Sequence, residues 1–289
     1  MTPTADGGAS VDLKQNQAHS ARIYDFFLGG KDNYAADREA ADKIEQAIPN
    51  VRQVALENRA FMHRAIRYVA DQGIHQFLDI GTGIPTEPNL HQIAQEVVPE
   101  ARVVYVDHDP IVLAHARALL VGTPQGRTEY VQADLAEPRR ILDDERVRET
   151  LDFDRPVALS LIALCHFVPG ERIYDIIDTL LEPLAPGSFL VMTHLTTDLD
   201  PETVEATVRA YEHSGIPMQA RTYDQVARMF RTLEPVSPGI VPIGRWYPEG
   251  TGPAPEREEA TDGAAVIPLR PADAPKPPAA GYAVVGRKS

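Results

Sequence analysis

The sequence has a single cysteine, Cys165, which excludes an internal disulfide and a cysteine-rich zinc site. It has no basic block. The formal net charge over 289 residues is -14, so no broad cationic surface is on offer to nucleic acid phosphates. It has no apolar run of membrane-spanning length, and Met1–Ser10 lacks the apolar core of a signal peptide. The expectation is a cytoplasmic protein with neither a nucleic-acid nor a membrane partner. Residues 1–16 are small and polar and read as a disordered tail. Residues 249–278, rich in Pro, Ala and acid, read as a flexible excursion.

What is present centres on residues 77–89, FLDIGTGIPTEPN. Phe77–Ile80 reads as a short buried strand. Gly81-Thr82-Gly83 turns the chain, and a helical run follows over Leu90–Val97. A strand, a glycine turn and a helix form the first half of a βαβ unit, and this turn is where such sheets hold nucleotides. Glycine lets the backbone turn tightly and a ligand lie against it, where a Cβ would intrude. Thr86 replaces the third glycine of GxGxxG, so the motif alone leaves an ordinary βα turn equally open.

Before the turn, residues 17–73 read as a helical cap. Its helices are expected over Ala21–Leu28, Asp37–Ala47 and Val51–Gln72, with Gly29-Gly30 ending the first and Pro49-Asn50 separating the last two. Val54, Phe61, Ala65, Ile66 and Val69 form a packing stripe on the third. Arg52, Arg59, Arg64 and Arg67 read as solvated or paired. Arg22, Tyr24, Lys31 and Asn33 crowd the first helix and the loop after it. That mixture suits a lid over a ligand, and a capped helix-turn-helix is the alternative.

From residue 74 to the end, strand and helix alternate. Strands are expected at Gln76–Ile80, Arg102–Asp107, Thr128–Ala133, Pro156–Ile162 and Ser188–His194. Helices are expected at Pro88–Val97, Pro110–Leu120, Glu171–Leu184, Pro201–Ser214 and Tyr223–Phe230. Pro138–Thr150 reads as a charged helix or a pair of turns. A strand near Gly239–Ile243 and a last one at Gly281–Arg287, with no helix between them, suggest an antiparallel edge pair. Repeated βα units with right-handed crossovers give an α/β fold with a doubly wound, mostly parallel, seven-stranded sheet. Its ligand crevice lies beyond the carboxyl ends of the strands.

Three acids fall at equivalent strand ends: Asp79, Asp107 and Asp134. A carboxylate beyond the second strand can accept both hydroxyls of a ribose, which suits Asp107. Asp134, with Leu135, can take an adenine amine and its edge, and Asp79 can hold an ammonium group. An adenosine with a cationic amino-acid tail satisfies all three. A pyrophosphate fits so acidic a rim less well.

The segments FLDIGTGIP, VVYVDHDPIVL, YVQADL and SLIALCHFVP resemble the class I S-adenosylmethionine-dependent methyltransferases. SARIYDFFLGGKDNYAADREAAD, with GTGIPTEPNLHQIAQ and GYAVVGRK, is more specific. It resembles an actinobacterial family once described as a domain of unknown function and renamed "S-adenosyl methyltransferase". The likeness covers roughly residues 17–246 and 280–288. It implies S-adenosylmethionine as cofactor, with Asp79, Gly81, Thr82 and Gly83 at the methionine part and Asp107 on the ribose. It further implies His108 near the ribose or adenine, Asp134 and Leu135 on the adenine, and Ile162 and Ala163 beside the methionine. The insert Pro85–Pro88 departs from the shorter superfamily loop. Arg22, Tyr24, Lys31 and Asn33 would close over the cofactor, with Lys31 or Arg22 neutralising its carboxylate.

If the methyl acceptor is an alcohol or phenol, a base is required. His166 after the fourth strand is the first candidate, with a packing histidine as the alternative, and His194 at the end of the fifth strand is the second. His91 either faces the cofactor loop or is exposed, and Cys165 reads as a small buried hydrophobe. The expected acceptor is a small molecule. An NAD(P)-dependent oxidoreductase and a non-catalytic cofactor-binding regulator are the rival readings.

Overall fold

The strand β1 (Gln76–Ile80) is buried at all five residues, with no alternation of polar and apolar positions. A strand of that kind needs helices over both faces of its sheet. The structure, a computed structural model describing residues 15–112, 122–249, 251 and 280–289, provides them. Beside β1 run β2 (Arg102–Asp107), β3 (Arg127–Gln132), β4 (Ala158–Leu161) and β5 (Phe189–Leu195), all parallel. Completing the sheet are β6 (Leu233–Pro235), the two-residue β7 (Val241–Pro242) and β8 (Gly281–Lys288). The strand order is β3-β2-β1-β4-β5-β8-β6, and β7 pairs with β8 off that path.

The doubly wound order agrees with the sequence reading, and two details correct it. The last strand is not at an edge: β8 lies between β5 and β6 and is antiparallel to both. Its first six residues are all buried, as suits a strand with both faces of the sheet covered. The expected strand near Gly239–Ile243 shrinks to β7, and β6 takes the sheet edge instead, so the sheet has eight strands.

Helices α1 (Ser20–Phe27), α2 (Ala35–Ala47) and α3 (Val51–Asp71) precede the sheet, and α4 (Leu90–Val97) follows β1. The charged stretch 138–150 divides into α5 (Pro138–Asp143) and α6 (Glu145–Thr150). Asp144 breaks it with an extended ψ of 132°, and its carboxylate then caps α6 by accepting from the Arg146 N–H at 2.9 Å. After β4 come α7 (Arg172–Leu181), α8 (Pro201–His213) and α9 (Tyr223–Met229). The helix expected from Pro110 does begin there, but residues 113–121 lie outside the described set. The tail over 1–16 and the excursion over 249–278 also fall, except at their ends, outside it.

Two apolar cores cover the two sheet faces, and a third lies above the strand ends. Phe61, Ala65, Ile66 and Val69 of α3 pack into the second core with Phe77, Val103 and Tyr105, so α3 is a layer of the sheet domain. The third core joins α1, α2 and the start of α3 to Tyr211 of α8 and to Met218. The segment 17–73 is therefore divided: α1 and α2 roof the strand ends, while α3 runs from that roof down the sheet. Among the described residues, no helix is long and apolar enough to cross a membrane.

Candidate functional site

The turn after β1 is held open by backbone geometry. Gly81 and Gly83 have φ of +75° and +67°, in the left-handed region that L side chains avoid. A Cβ on Gly81 would come 2.6 Å from Leu164 Cδ1. The Gly81 N–H donates to Val106 O at 2.8 Å, and the Gly83 N–H donates to Asp107 Oδ2 at 2.9 Å. The Thr82 hydroxyl donates to Asp79 O at 3.1 Å. The carboxylate at the end of β2 is thus tied directly to the glycine turn. Its other oxygen accepts the Asp109 N–H at 2.9 Å.

Two cavities meet at Gly81, Asp107, His108 and Leu164. One arm, about 300 Å³, ends on Ala133, Asp134 and Leu135. The other, about 210 Å³, passes Asp79, Thr82, Gly83, Ile162 and Ala163 and continues beneath α1 and α3. Asp134 is exposed, and its Oδ1 accepts the Ala136 N–H at 2.8 Å, while Leu135 is buried. The residues expected at the methionine, ribose and adenine parts thus line one continuous groove. Ala163 has φ of +51°, the one positive value outside glycine among the described residues, and its strain sits at the groove wall.

Asp79 is buried, and desolvation pushes its carboxyl up to about 6, against hydrogen bonding and the nearby Arg59 charge, which pull it down. The native state therefore keeps this proton between about pH 4 and 6, where the unfolded chain has lost it. Its contribution to stability falls as pH rises through that window and stays low above it. Asp79→Asn is expected to raise the ligand-free protein's stability at pH 7.5 by about 2 kcal/mol in denaturant unfolding, the shift taken at 1.36 kcal/mol per unit and reduced for relaxation.

Above the groove, four side chains suggested as a lid behave differently from one another. Tyr24 lies on the cavity wall, accepting from Asn58 Nδ2 at 2.8 Å and donating to Ala55 O at 3.1 Å. Asn58 Oδ1 accepts the Thr193 hydroxyl at 2.7 Å, and Thr193 accepts the Ala163 N–H at 2.8 Å. This chain connects α1 through α3 and β5 to the end of β4. Arg22, Lys31 and Asn33 are off the wall. Lys31 is exposed, because the loop turns it outward. Asn33 Nδ2 donates to Asp25 Oδ2 at 2.9 Å and Gly30 O at 3.1 Å, so its amide shapes the loop. Arg22 is buried between Asp37 and Asp109, at 3.5 and 3.4 Å, and pins α1 to α2 and to the end of β2.

His19, just ahead of α1, continues that connection. Its Nδ1 is 3.2 Å from Asp109 Oδ2 and its Nε2 is 2.9 Å from His108 Nε2. Burial lowers the His19 pKa, against the pull of the Asp109 carboxylate. The pair roofs the point where the two cavities join.

Of the four arginines of α3 named above, three are paired as expected. Arg52 meets Glu45, Arg67 meets Glu96, and Arg64 donates to Trp246 O at 2.9 Å. Arg59 differs. It lies on the cavity wall, donates to Pro88 O at 2.7 Å and to Thr86 O, and leaves a buried Nε without a partner. A signal for it was present: Arg59 stands four residues after Ala55 and three before Met62, on the buried stripe, where a cation needs a reason.

The two candidate bases separate. His194 Nδ1 donates to Leu195 O at 2.8 Å and its Nε2 accepts from Arg221 Nη1 at 3.0 Å, so both ring nitrogens are engaged. Burial pushes its pKa down to about 3, and the neighbouring Arg221 charge acts in the same direction. His194 is a structural ring and not a base. His166 is on the wall, its pKa driven well below the usual value by burial, then by His194 and Arg221. Arg221 is itself buried. It donates to Val168 O at 2.9 Å and Gly170 O at 2.7 Å, clamping the loop that carries His166, a role no local pattern announces. Burial pushes the Cys165 thiol up to about 12, and the residue packs as an apolar group. His91 faces neither the groove nor solvent. It is buried with Nδ1 2.8 Å from the Tyr105 hydroxyl.

Comparison with known proteins shows the family. A family model described as S-adenosyl methyltransferase matches residues 6–270. The chain is 44% identical to a DUF574 family protein of known structure from Streptomyces avermitilis, with 96% of this chain and 100% of that chain covered and a TM-score of 0.85. It is 36% identical to a candidate methyltransferase from Thermobifida fusca, with 98% and 100% covered and a TM-score of 0.82. No curated protein matches it. The fold is that of the class I methyltransferases, S-adenosylmethionine is the cofactor, and the chain belongs to the S-adenosyl methyltransferase family.

Proposed function

We infer that the protein transfers a methyl group from S-adenosylmethionine to a small molecule enclosed beneath α1 and α3, in the cytoplasm and without a nucleic-acid partner. The observation that carries this is the continuous groove over the strand ends, acidic along the rim and apolar under the cap. The residues suit the cofactor on their own chemistry. Asp107 accepts ribose hydroxyls, Asp134 and Leu135 take the adenine edge, and Asp79 takes the ammonium group. Gly81 leaves the groove floor free of a side chain.

Arg59, with its unpartnered Nε, takes the methionine carboxylate in place of Arg22 or Lys31. When bound, the cofactor supplies an electrophilic methyl on a positively charged sulfur. The protein's part is to hold the acceptor in line with it and exclude water, since the leaving group is already activated. The acids of the rim repel a pyrophosphate, which weighs against the dinucleotide reading.

Calorimetry with S-adenosylhomocysteine, which keeps the carboxylate, tests the assignment of Arg59. Arg59→Met is expected to weaken binding about tenfold or more, while Lys31→Ala leaves it unchanged. Equal affinity for the Arg59 variant would refute the assignment. Transfer of labelled methyl to a component of a small-molecule extract tests catalysis. Tight cofactor binding with no transfer would favour a regulator instead.

A further inference from the structure

Beneath the cap, the wall of the cavity that passes Asp79 and Gly83 changes character. Phe27, Ile48, Val51, Phe167, Leu195 and Met218 line it there; four of them belong to the core that joins α1, α2 and α3 to α8, and Phe167 and Leu195 pack against it. Among the described residues, the formally charged side chains on the whole wall are Asp79, Asp107 and Arg59. All three stand at the glycine-turn end, where Asp107 accepts the Gly83 N–H and Arg59 donates to Pro88 O. The cap end offers no counter-ion. An ammonium, carboxylate or phosphate enclosed there loses its hydration with nothing in return.

The polar atoms at the cap end are mostly committed. Tyr24, Asn58 and Thr193 bond one another in a chain. The Thr207 hydroxyl donates to Thr203 O at 2.8 Å, and both His194 nitrogens are engaged. His166 is the exception. Its Nδ1 is buried without a partner, which leaves Nε2 for the cavity its ring lines. The ring is neutral, because burial and the nearby His194 and Arg221 oppose its charging. A neutral imidazole can accept a hydrogen bond, but so weak a base suits an O–H that is already acidic. A phenol, with a pKa near 10 in tyrosine, meets that condition and an aliphatic alcohol does not.

We propose that the cap end is the acceptor subsite and takes an uncharged, apolar phenol whose hydroxyl donates to His166. This rests on the methyltransferase reading above. In the transfer the phenol oxygen forms its bond to carbon as the sulfur–methyl bond breaks. The sulfur keeps the bonding pair and becomes a neutral thioether, and the phenolic proton passes to His166 and on to solvent.

The test uses the full chain saturated with S-adenosylhomocysteine. A panel of neutral one- and two-ring phenols is titrated by calorimetry beside carboxylate and ammonium compounds of the same ring size. Neutral phenols are expected to bind, and their charged counterparts to bind at least about tenfold more weakly. With labelled S-adenosylmethionine, the label is expected on the phenolic oxygen. His166→Phe and His166→Gln should keep S-adenosylhomocysteine affinity, which reports their folding, and lose at least about a hundredfold in transfer. Binding of S-adenosylhomocysteine without any phenol, equal binding of charged analogues, or undiminished transfer by both variants would each overturn the proposal. Failure of the unmodified chain to bind S-adenosylhomocysteine would overturn the methyltransferase reading beneath it as well.

Discussion

Asp107→Asn is expected to lower affinity for S-adenosylhomocysteine about a hundredfold, close to 2.7 kcal/mol. The carboxylate has two jobs, and an amide can do neither fully. In the folded protein Oδ2 accepts the Gly83 N–H and Oδ1 accepts the Asp109 N–H, both at 2.9 Å. An asparagine has one acceptor oxygen, so its amide nitrogen would point a donor at one of those N–H groups and loosen the turn. The charge is lost as well, and charge-assisted bonds to a ribose diol are roughly twice as strong as neutral ones. Asp134→Asn is the control. That side chain is exposed and holds only the Ala136 N–H, so a loss of a fewfold is expected there. Calorimetry on the two variants decides, and an unchanged affinity for Asp107→Asn would remove Asp107 from the cofactor site.

Arg22→Met is expected to destabilise the fold by about 3–5 kcal/mol, the usual cost of leaving a buried carboxylate without its cation. Arg22 is 2% exposed, Asp37 is fully buried and Asp109 is 4% exposed. Asp37 already accepts the His19 and Tyr34 N–H groups at 2.9 and 2.8 Å, and Asp109 Oδ1 accepts the Ile111 N–H at 2.9 Å. Removing Arg22 therefore undoes the joint between α1, α2 and the end of β2 and leaves two anions facing a methionine. Denaturant unfolding measures it. A cofactor-contacting arginine would give the opposite pattern: near-normal stability with weakened binding.

The sheet and its rim were legible because their signals are local. β1, β2 and β4 are short, mostly apolar runs, the glycine turn declares itself by its missing side chains, and Asp79, Asp107 and Asp134 fall at or just past the carboxyl ends of β1, β2 and β3. The cap's relation to the site was not, because it depends on partners far apart in the chain. Arg22 looked like a lid residue among Tyr24, Lys31 and Asn33, yet its nearest cation-pairing oxygens belong to Asp37 and Asp109. Asn58 is joined to Thr193 across 135 positions. His194 stood as the second candidate base after His166, and Arg221, in an irregular segment with no pattern of its own, occupies its Nε2. The edge position assigned to β8 failed for a related reason: the partner β6 is three residues long, too short to register in sequence.

A crystal structure of the protein soaked with S-adenosylhomocysteine bears most directly on the whole account. It is expected to show the ribose hydroxyls on Asp107, the adenine between Leu135 and Leu164, the amino group at Asp79 and the carboxylate at Arg59, with the apolar chamber under α1 left open beside the sulfur. A nucleoside bound away from Gly81, or one whose sulfur faces solvent and not the cap, would contradict it.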